Sequence, residues 1–511
     1  MNHNPIAFPF NIKLTPPSPD DKTADAERLR NRLGEAGLND VTIPLRVLRK
    51  LPEELRKNLF ELELVIGITP QTASLSEKGG RDYAFKIMDI CRKNIYGIAI
   101  DIGTTNIECS LFNLVTCEKA DVLGIENPQM KYGSDVLTRV HRAMSGEFDI
   151  LAEELLKGIN IMIDRICVKN NILNEDIFAS TVAGNTIMQH FFLGLDVRNI
   201  PVSPYIPAVS SEVFLSAEEA GMNINRDAVV YVFPNSGSYV GGDIISGMIF
   251  SGIYREKDPV LFIDVGTNVE ITLGCRDWIM VGAGAAGPAL EGGISSIGKK
   301  AEDGTIYGVK IDRSSKDIVD IKVISDIEPS GICGSGMIDL ISEMFSANII
   351  DQAGRFTDLG KGVMEKEGEK AYILYCSDKT KLFIKEREIQ NFLLSKAAMF
   401  AFLYVFVKSV GLTFKDIKKV YIAGALGCGI NIENAVNIGI LPDLPRERFI
   451  PLGNSSLGGA EMALLDRNLL HEINGILPKI TYREMNEDTD LMNALQGALF
   501  IPHTEPEILK G

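Results

Sequence analysis

The chain has 511 residues, room for two to four domains, and its 45% apolar content is that of an ordinary globular protein with a large core. A net charge of −16 argues against a general nucleic-acid or anionic-membrane binder, so a bound polyanion would have to be held by backbone dipoles and metal. The eight cysteines form no CxxC pair and there is no CxH or HxxxH cluster, which argues against structural zinc and a cysteine-held iron–sulfur cluster.

The N-terminus has no basic-then-apolar signal, and the chain reads as cytoplasmic, with most cysteines reduced and buried as small apolar residues. Residues 1–25 are rich in Pro, Asp and Lys and suggest an extended lead-in. Residues 26–38 read as a short polar helix, and 41–65 as a small α+β unit in which Pro52 starts a helix and ELELVIGI alternates as a strand. A variable join runs through 69–82 with Gly79-Gly80.

Residues 98–111, IAIDIGTTNIECSL, read as a buried strand that turns at Asp-x-Gly-Thr and returns as a second strand. Glycine at 103 would serve backbone angles closed to other residues or the close approach of a ligand. Ser134 is the expected N-cap of the helix DVLTRVHRAM; 153–170 reads as an amphipathic helix, and 178–183 as a strand ending at Gly184-Asn185-Thr186, which opens another helix. Residues 229–233 are strand-like and lead into a glycine-rich turn and a helix across 234–250. The first half thus mixes strands and helices as an α/β domain does.

The second half opens on a near-copy of the hairpin, LFIDVGTNVEITL at 261–273, where Gly266 has the place of Gly103. A glycine-rich loop follows at 282–299, then alternating strands around 312–317, a helix opened by Gly334-Ser335-Gly336, and a long helix over 386–410. Its most apolar part, 397–407, is too short to span a bilayer and reads as a core helix. Residues 420–423 form a strand ending in Gly424-Ala-Leu-Gly427, 435–438 a short helix, and 449–453 a last strand before Asn454-Ser455-Ser456 caps the helix LGGAEMALLD. The tail after 477 has little pattern.

Two glycine patterns are set aside. Gly282–Gly287 satisfies GxGxxG, but Pro288 follows and no clear βαβ unit surrounds it; Gly293–Lys299 satisfies GxxxxGK, but Lys300 stands where Ser or Thr should bind Mg²⁺. The hairpin pair is stronger, because both copies follow four-residue apolar strands and lie about one half-domain apart. Backbone N–H groups and hydroxyls beside such a glycine can grip phosphate oxygens, and the acid can orient hydrated Mg²⁺. The strand ending at Gly424 and Gly427 is a third element, on which adenosine could lie against backbone.

Hairpin, hairpin and glycine turn in that order resemble the superfamily of acetate and sugar kinases, heat-shock chaperones and actin, with Ala425 where the usual pattern has a second glycine. The chain is also similar to the reductive activators of corrinoid proteins. The resemblance rests on NPQMKYGSDVLTRV, VAGNTIMQH, VGGDI, DVGTNVEI, AAGPALEGG, ICGSGMID, YIAGALG and GNSSLGGA, in family order across about 95–470. PPSPDDKTADAERL and IPLRVLRKLPEELR look like that family's linker and middle domain.

The resemblance implies an α/β fold: two RNase H-like, actin-like ATPase subdomains around a nucleotide cleft, preceded by a small α+β domain. The expected segments are 1–38 (linker and short helix), 39–93 (small α+β domain), 94–255 and 256–480 (the two subdomains) and 481–511 (tail). It implies ATP and Mg²⁺ as cofactors, weak ATP hydrolysis, and a corrinoid protein or corrinoid methyltransferase as partner. A homodimer is left open, and neither nucleic acid nor membrane is expected. Family members carry an iron–sulfur domain; here the resemblance starts at the linker and no cysteine cluster follows, so no iron–sulfur cluster is expected and electrons would come from a separate ferredoxin-like donor. Two other readings stand beside this one: a small-molecule kinase of the same fold, and a non-catalytic nucleotide-binding or regulatory module.

Asp101 and Asp264 are the expected Mg²⁺-orienting acids, against the plainer reading of turn acids that cap their hairpins. Gly103, Thr104, Thr105, Gly266, Thr267 and Asn268 would hold phosphate oxygens. Asp243, after Gly241-Gly242, is a candidate for the metal or the attacking water, and Glu291 could orient that water; the plainer readings are a helix N-cap and a solvated loop acid. Gly334, Ser335 and Gly336 could meet ribose or phosphate, or serve tight packing, while Gly424 and Gly427 would flank adenine. His190 reads as a satisfied core histidine. Tyr132, Gly133 and Asp135 would shape a domain interface, Lys299 and Lys300 read as solvated, and Trp278 as packing or partner surface.

Overall fold

The structure, a computed structural model, describes residues 3–75, 81–90, 94–266, 269–284, 294–312, 314, 318–357, 362–366, 368–424, 429–484 and 489–510. The chain divides into two compact units, Met1–Phe250 with Ser455–Ile480, and Ser251–Asn454 with Thr481–Gly511.

The first unit starts with a four-stranded sheet. In spatial order its strands are Ala7–Lys13, Glu61–Leu75, Arg81–Ile90 and Val41–Thr42. The lead-in therefore holds a strand, Ala7–Lys13, paired antiparallel along Glu61–Gly67. Helices Asp25–Glu35 and Leu45–Lys57 bury Leu29, Leu33, Val47, Leu51 and Leu55 in a small core with Leu62, Leu64 and Ile66 of the sheet. Pro52 does not start its helix. Pro44 is the N-cap and Pro52 lies inside, because the stripe Val47-Leu51-Leu55 runs at four-residue spacing straight through it.

The same unit carries a six-stranded sheet in the order Glu118–Glu126, Asn106–Asn113, Tyr96–Ile102, Ile177–Gly184, Val229–Val232, Val213–Ser216. Tyr96–Ile102 runs antiparallel to Asn106–Asn113 and parallel to Ile177–Gly184, which is parallel to Val229–Val232. Helix Phe148–Asn170 places Leu151, Leu155, Ile159, Met162, Ile163 and Ile166 in the core beneath Ile98, Ile100, Ile102, Cys109 and Leu111. Side chains alternate along a strand, so Ser110 points away from that core. There it meets helix Ser455–Leu465, donating to the Glu461 carboxylate at 2.5 Å, and Thr181 donates to the Ala460 carbonyl at 2.8 Å.

The second unit repeats the plan. Its large sheet runs Phe449–Gly453, Val420–Ala423, Val260–Val265, Val269–Gly274, Ile279–Gly284, Ile480–Tyr482. The repeat holds at the level of residues. In the first unit Asp101 sits opposite Glu108 across the hairpin and beside Ala183 on the parallel strand, with Ile102 beside Gly184. In the second Asp264 sits opposite Glu270 and beside Ala423, with Val265 beside Gly424. In each unit a further parallel strand follows, Val229–Val232 or Phe449–Gly453. Both units are thus RNase H-like α/β sheets, and the small α+β domain precedes them.

Helix Glu386–Lys408 is long and apolar enough to cross a membrane by length and composition, but 72% of its apolar window is buried inside the protein, with Phe392, Phe400, Leu403 and Phe406 in the second unit's core. The tail is not patternless as its sequence suggests. Helix Thr489–Ala498 packs on the long helix, and the fully buried Lys396 donates to the carbonyls of Ala498, Phe500 and Pro502 at 2.6–2.8 Å. A helix this short is held by tertiary packing more than by propensity, which is why its sequence signal is weak.

Candidate functional site

In an open α/β sheet, ligands bind outside the carboxyl ends of parallel strands, where side chains and helix starts converge. In the first unit the ends of Tyr96–Ile102 and Ile177–Gly184 bring together Asp101, Gly103, Thr104, Thr105 and Asn185. Asn185 is the N-cap of helix Thr186–Leu193: its Oδ1 accepts from Met188 N–H at 3.0 Å, and its Nδ2 donates to the Thr104 hydroxyl at 3.2 Å. Asp243 belongs to the same group, since a methyl on Gly241 would lie 2.6 Å from Asp243 Oδ1 and 2.7 Å from Thr186 N.

Asp101 is held from behind by the helix that returns late in the chain. Ser456 donates to Asp101 Oδ1 at 2.7 Å, and Ser246, one turn beyond Asp243 in helix Gly242–Ser251, donates to the Ser456 carbonyl at 2.6 Å. Ser456, expected only as part of a cap, therefore orients a candidate site acid. Ser134 is not the cap of the helix at 136; Asp135 is, accepting from Thr138 N–H at 2.8 Å.

The hairpin turn is braced by residues that the residue-level reading did not single out. Asn127, Gln129 and Arg139 are fully buried. Asn127 Nδ2 donates to the Gly103 carbonyl at 2.8 Å, its backbone N–H to the Thr105 carbonyl at 2.8 Å, and Arg139 Nη2 to the Thr104 carbonyl at 2.5 Å. All three lie in NPQMKYGSDVLTRV, so the motif itself was the available signal. Gly103 does not adopt a positive φ. It is needed for space, because a methyl there would lie 2.5 Å from the Asn106 carbonyl oxygen. Gly266 likewise has no positive φ, and no described atom lies within 4 Å of where its methyl would be.

In the second unit Asp264 and Gly424 meet. Gly424 has a φ of +72°, and a side chain there would run into Asp264 Oδ1 and the Val265 carbonyl, both at 2.5 Å. Only glycine lets the strand end approach the acid this closely. Gly334, Ser335 and Gly336 start helix Gly334–Ser346 against strand Thr305–Ile311: a methyl on Gly336 would lie 2.4 Å from the Ile306 carbonyl, and Ser335 donates to the Tyr307 carbonyl at 3.3 Å. Thr267, Asn268, Glu291 and Gly427 lie outside the described residues, as do all of AAGPALEGG and with it the Gly287 end of the GxGxxG pattern. Gly282 and Gly284 of that pattern are inside strand Ile279–Gly284 rather than in a turn.

His190 is fully buried; its Nδ1 lies 2.6 Å from the Thr186 carbonyl and its Nε2 accepts from Ala208 N–H at 3.0 Å. Lys299 donates to the Ser330 hydroxyl at 3.1 Å, and Trp278 packs on the second unit's core. The ring of Tyr132 stacks under Lys131 and Arg142, and Gly133 offers its carbonyl to Arg139 Nε at 2.9 Å. Cys109, Cys167, Cys275 and Cys333 are buried, and burial pushes the Cys109 thiol up to about 12 and Cys167 to about 11. Such thiols behave as small apolar groups. Cys91 and Cys428 lie outside the described residues.

Among the described residues no three His, Cys, Asp or Glu side chains gather as a metal-binding group. Mg²⁺ in a nucleotide complex takes one or two carboxylates and keeps its waters and the phosphates as further ligands. Asp101, oriented by Ser456, is a carboxylate of the kind such a complex uses.

Three family profiles cover nearly all of the chain. Residues 1–91 match "RACo linker region", 96–256 match "RACo middle region", and 258–510 match "C-terminal domain of RACo the ASKHA domain". A solved structure titled "Reductive activator for corrinoid,iron-sulfur protein" is 33% identical, aligns over 99% of this chain and 81% of its own, and superposes with a TM-score of 0.89. The chain belongs to the reductive activators of corrinoid proteins. Two curated relatives agree. "Corrinoid activation enzyme RamQ" of Eubacterium limosum is 28% identical over 79% of this activator and 71% of its own length. "[Co(II) methylated amine-specific corrinoid protein] reductase" of Methanosarcina barkeri is 25% identical over 76% and 73%. The activator family thus accounts for the ASKHA-type fold and for nucleotide binding as a general property of that fold.

Proposed function

We propose that this activator binds ATP with Mg²⁺ and couples nucleotide binding, with slow hydrolysis, to the state of a corrinoid protein or corrinoid methyltransferase. The observation that carries the reading is the repeated register: each unit ends a parallel strand pair in an acid beside an Ala-Gly step, Asp101 with Ala183-Gly184 and Asp264 with Ala423-Gly424. Asp101 and Asp264 are the proposed Mg²⁺-orienting acids. Gly103, Thr104, Thr105, Gly266, Thr267 and Asn268 hold phosphate oxygens, and Gly334–Gly336, Gly424 and Gly427 serve the nucleoside. Asp243 and Glu291 are the candidates to orient the attacking water. Hydrolysis of this kind needs positioning and charge stabilisation more than covalent chemistry. When bound, Mg²⁺ would supply neutralisation of phosphate charge; the chain's own part is to aim its carboxylates and hairpin peptides. The relatives named above act on corrinoid proteins, which supports that class of partner. The absence of a CxxC pair in these 511 residues supports a ferredoxin-like centre outside them as the electron donor.

The test is a thermal shift with ATP and Mg²⁺. At a hundredfold excess over Kd, binding stabilises the folded state by about 2.7 kcal/mol. Asp101→Ala, which removes only a small carboxylate, is expected to abolish the shift. Phosphate release that rises with a corrinoid protein and with no sugar or organic acid supports the activator reading; release that needs a metabolite moves the chain to the small-molecule kinases. Absence of any shift with wild-type protein rejects nucleotide coupling altogether.

A further inference from the structure

The segment NPQMKYGSDVLTRV has no role in the scheme above, yet it buries a cation against the first hairpin. Arg139 is fully buried, and its guanidinium reaches the carbonyls of Thr104 and Gly133, Gln129 Oε1 at 3.1 Å, and the sulfurs of Met130 and Met188. Every one of those partners is neutral. Asp135 favours the charge from a distance, but burial outweighs it and pulls the guanidinium down to about 10. A desolvated charge without an ionic partner is costly unless an anion comes near. The chain as a whole is strongly acidic, so this cation is not part of a general basic surface.

Its position is specific. Arg139 takes the carbonyl of Thr104 and Asn127 takes that of Gly103. In a trans peptide the N–H points opposite to the C=O. Holding these two carbonyls from one side therefore directs the amides of Thr104 and Thr105 to the other. A carbonyl that accepts from a cation also polarises the N–H of its own peptide. The Thr105 carbonyl is pinned as well, by the backbone N–H of Asn127.

We infer that Asn127 and Arg139 are positioning residues for nucleotide phosphate: they set the Thr104 and Thr105 peptides as an anion cradle, and Arg139 is the buried counter-charge to the phosphate it receives. This rests on the nucleotide binding proposed above. Arg139 touches no phosphate itself; it acts through the hairpin. Gln129 orients it, with Oε1 accepting from the guanidinium and Nε2 donating to the Leu151 carbonyl at 3.0 Å.

A purely structural stitch would lower stability and weaken all ligands alike. A phosphate cradle affects only ligands that carry phosphate. The experiment is calorimetric titration of ATP and of adenosine, with Mg²⁺, into wild-type protein and into Arg139→Gln, Arg139→Lys and Asn127→Asp. Asn127→Asp keeps the acceptor for Gln129 N–H at 2.9 Å while removing the donor to Gly103 and adding a like charge to the phosphate. Arg139→Gln and Asn127→Asp are expected to raise the Kd for ATP by about tenfold or more, and to leave that for adenosine within about twofold. Arg139→Lys, which keeps charge but not the fork, falls between. Equal losses for both ligands, unchanged ATP affinity in a folded variant, or failure of all three variants to fold each overturns the cradle in favour of a stitch. Should only Arg139→Gln fail to fold, Asn127→Asp decides. Wild-type protein that binds neither ligand rejects the nucleotide reading and this inference with it, whereas wild-type binding with unaltered variants rejects the inference alone.

Discussion

At the scale of single residues, His190 shows how a side chain that looks chemical can be structural. Its two ring nitrogens face a carbonyl and an amide N–H, so the only tautomer that satisfies both carries the proton on Nδ1. Protonating Nε2 would put two hydrogens against each other at Ala208. Burial pushes the His190 pKa below its usual value, with the Thr186 carbonyl opposing more weakly. The folded protein thus binds this proton less tightly than the unfolded chain, in which histidine titrates near 6.5. The unfolded state gains protons first as pH falls, so stability from this group is complete above about 6.5 and declines below it. Urea unfolding at pH 7.5 and pH 5.5 should show the wild type losing more stability on acidification than His190→Gln, even though that variant starts lower. An equal loss in both would place the acid sensitivity elsewhere.

The return of Ser455–Leu465 to the first unit is the element on which the site acid depends. This helix crosses Gly242–Ser251 so closely that a methyl on Gly459 would lie 1.9 Å from the Ser246 carbonyl oxygen. The neighbour is backbone, so it cannot rotate aside. Gly459→Ala should therefore cost about 1–3 kcal/mol by overpacking, read as a lower denaturation midpoint at constant slope. The same displacement would loosen the chain Ser246–Ser456–Asp101, so ATP affinity should fall beyond what Ser456→Ala alone causes. Unchanged stability would mean that the two helices separate freely. None of this is visible in the chain order, which sets residues 455–465 directly after the second unit's strand Phe449–Gly453. What is legible are the paired hairpins and the strands Val420–Ala423 and Phe449–Gly453, because a short apolar run ending in glycine is a local signal. Pro52 misled because it can open a helix as well as sit in one, and only the buried stripe around it decides. In the candidate site the acids stand out by their repeat. The contacts of Asn127, Arg139 and Ser456 do not, even where a motif holds the residue, since their partners are backbone carbonyls or a carboxylate far away in sequence.

For the whole molecule, the repeated sheet raises the question of what two such units do that one could not. The chain passes between them at 250/251, 454/455 and 480/481, so each unit is completed by segments on both sides of the other. Ligand binding to such a protein can move a partner's equilibrium only by as much as its affinity differs between the states concerned. That constraint makes the proposed coupling measurable without knowing the states themselves. If ATP changes the affinity of this activator for a corrinoid protein by some factor, the corrinoid protein must change the affinity for ATP by that same factor. Such couplings run at about 5–150-fold. Titrating fluorescent ATP with and without saturating corrinoid protein, and the corrinoid protein with and without saturating nonhydrolysable ATP, should give one common ratio well above 1. Asp101→Ala should lose the ratio by losing ATP, whereas a variant at the partner's surface should keep ATP binding and lose only the response. Two ratios of 1 would leave nucleotide and partner as independent ligands, and the activator would then need another source of the drive its family name implies.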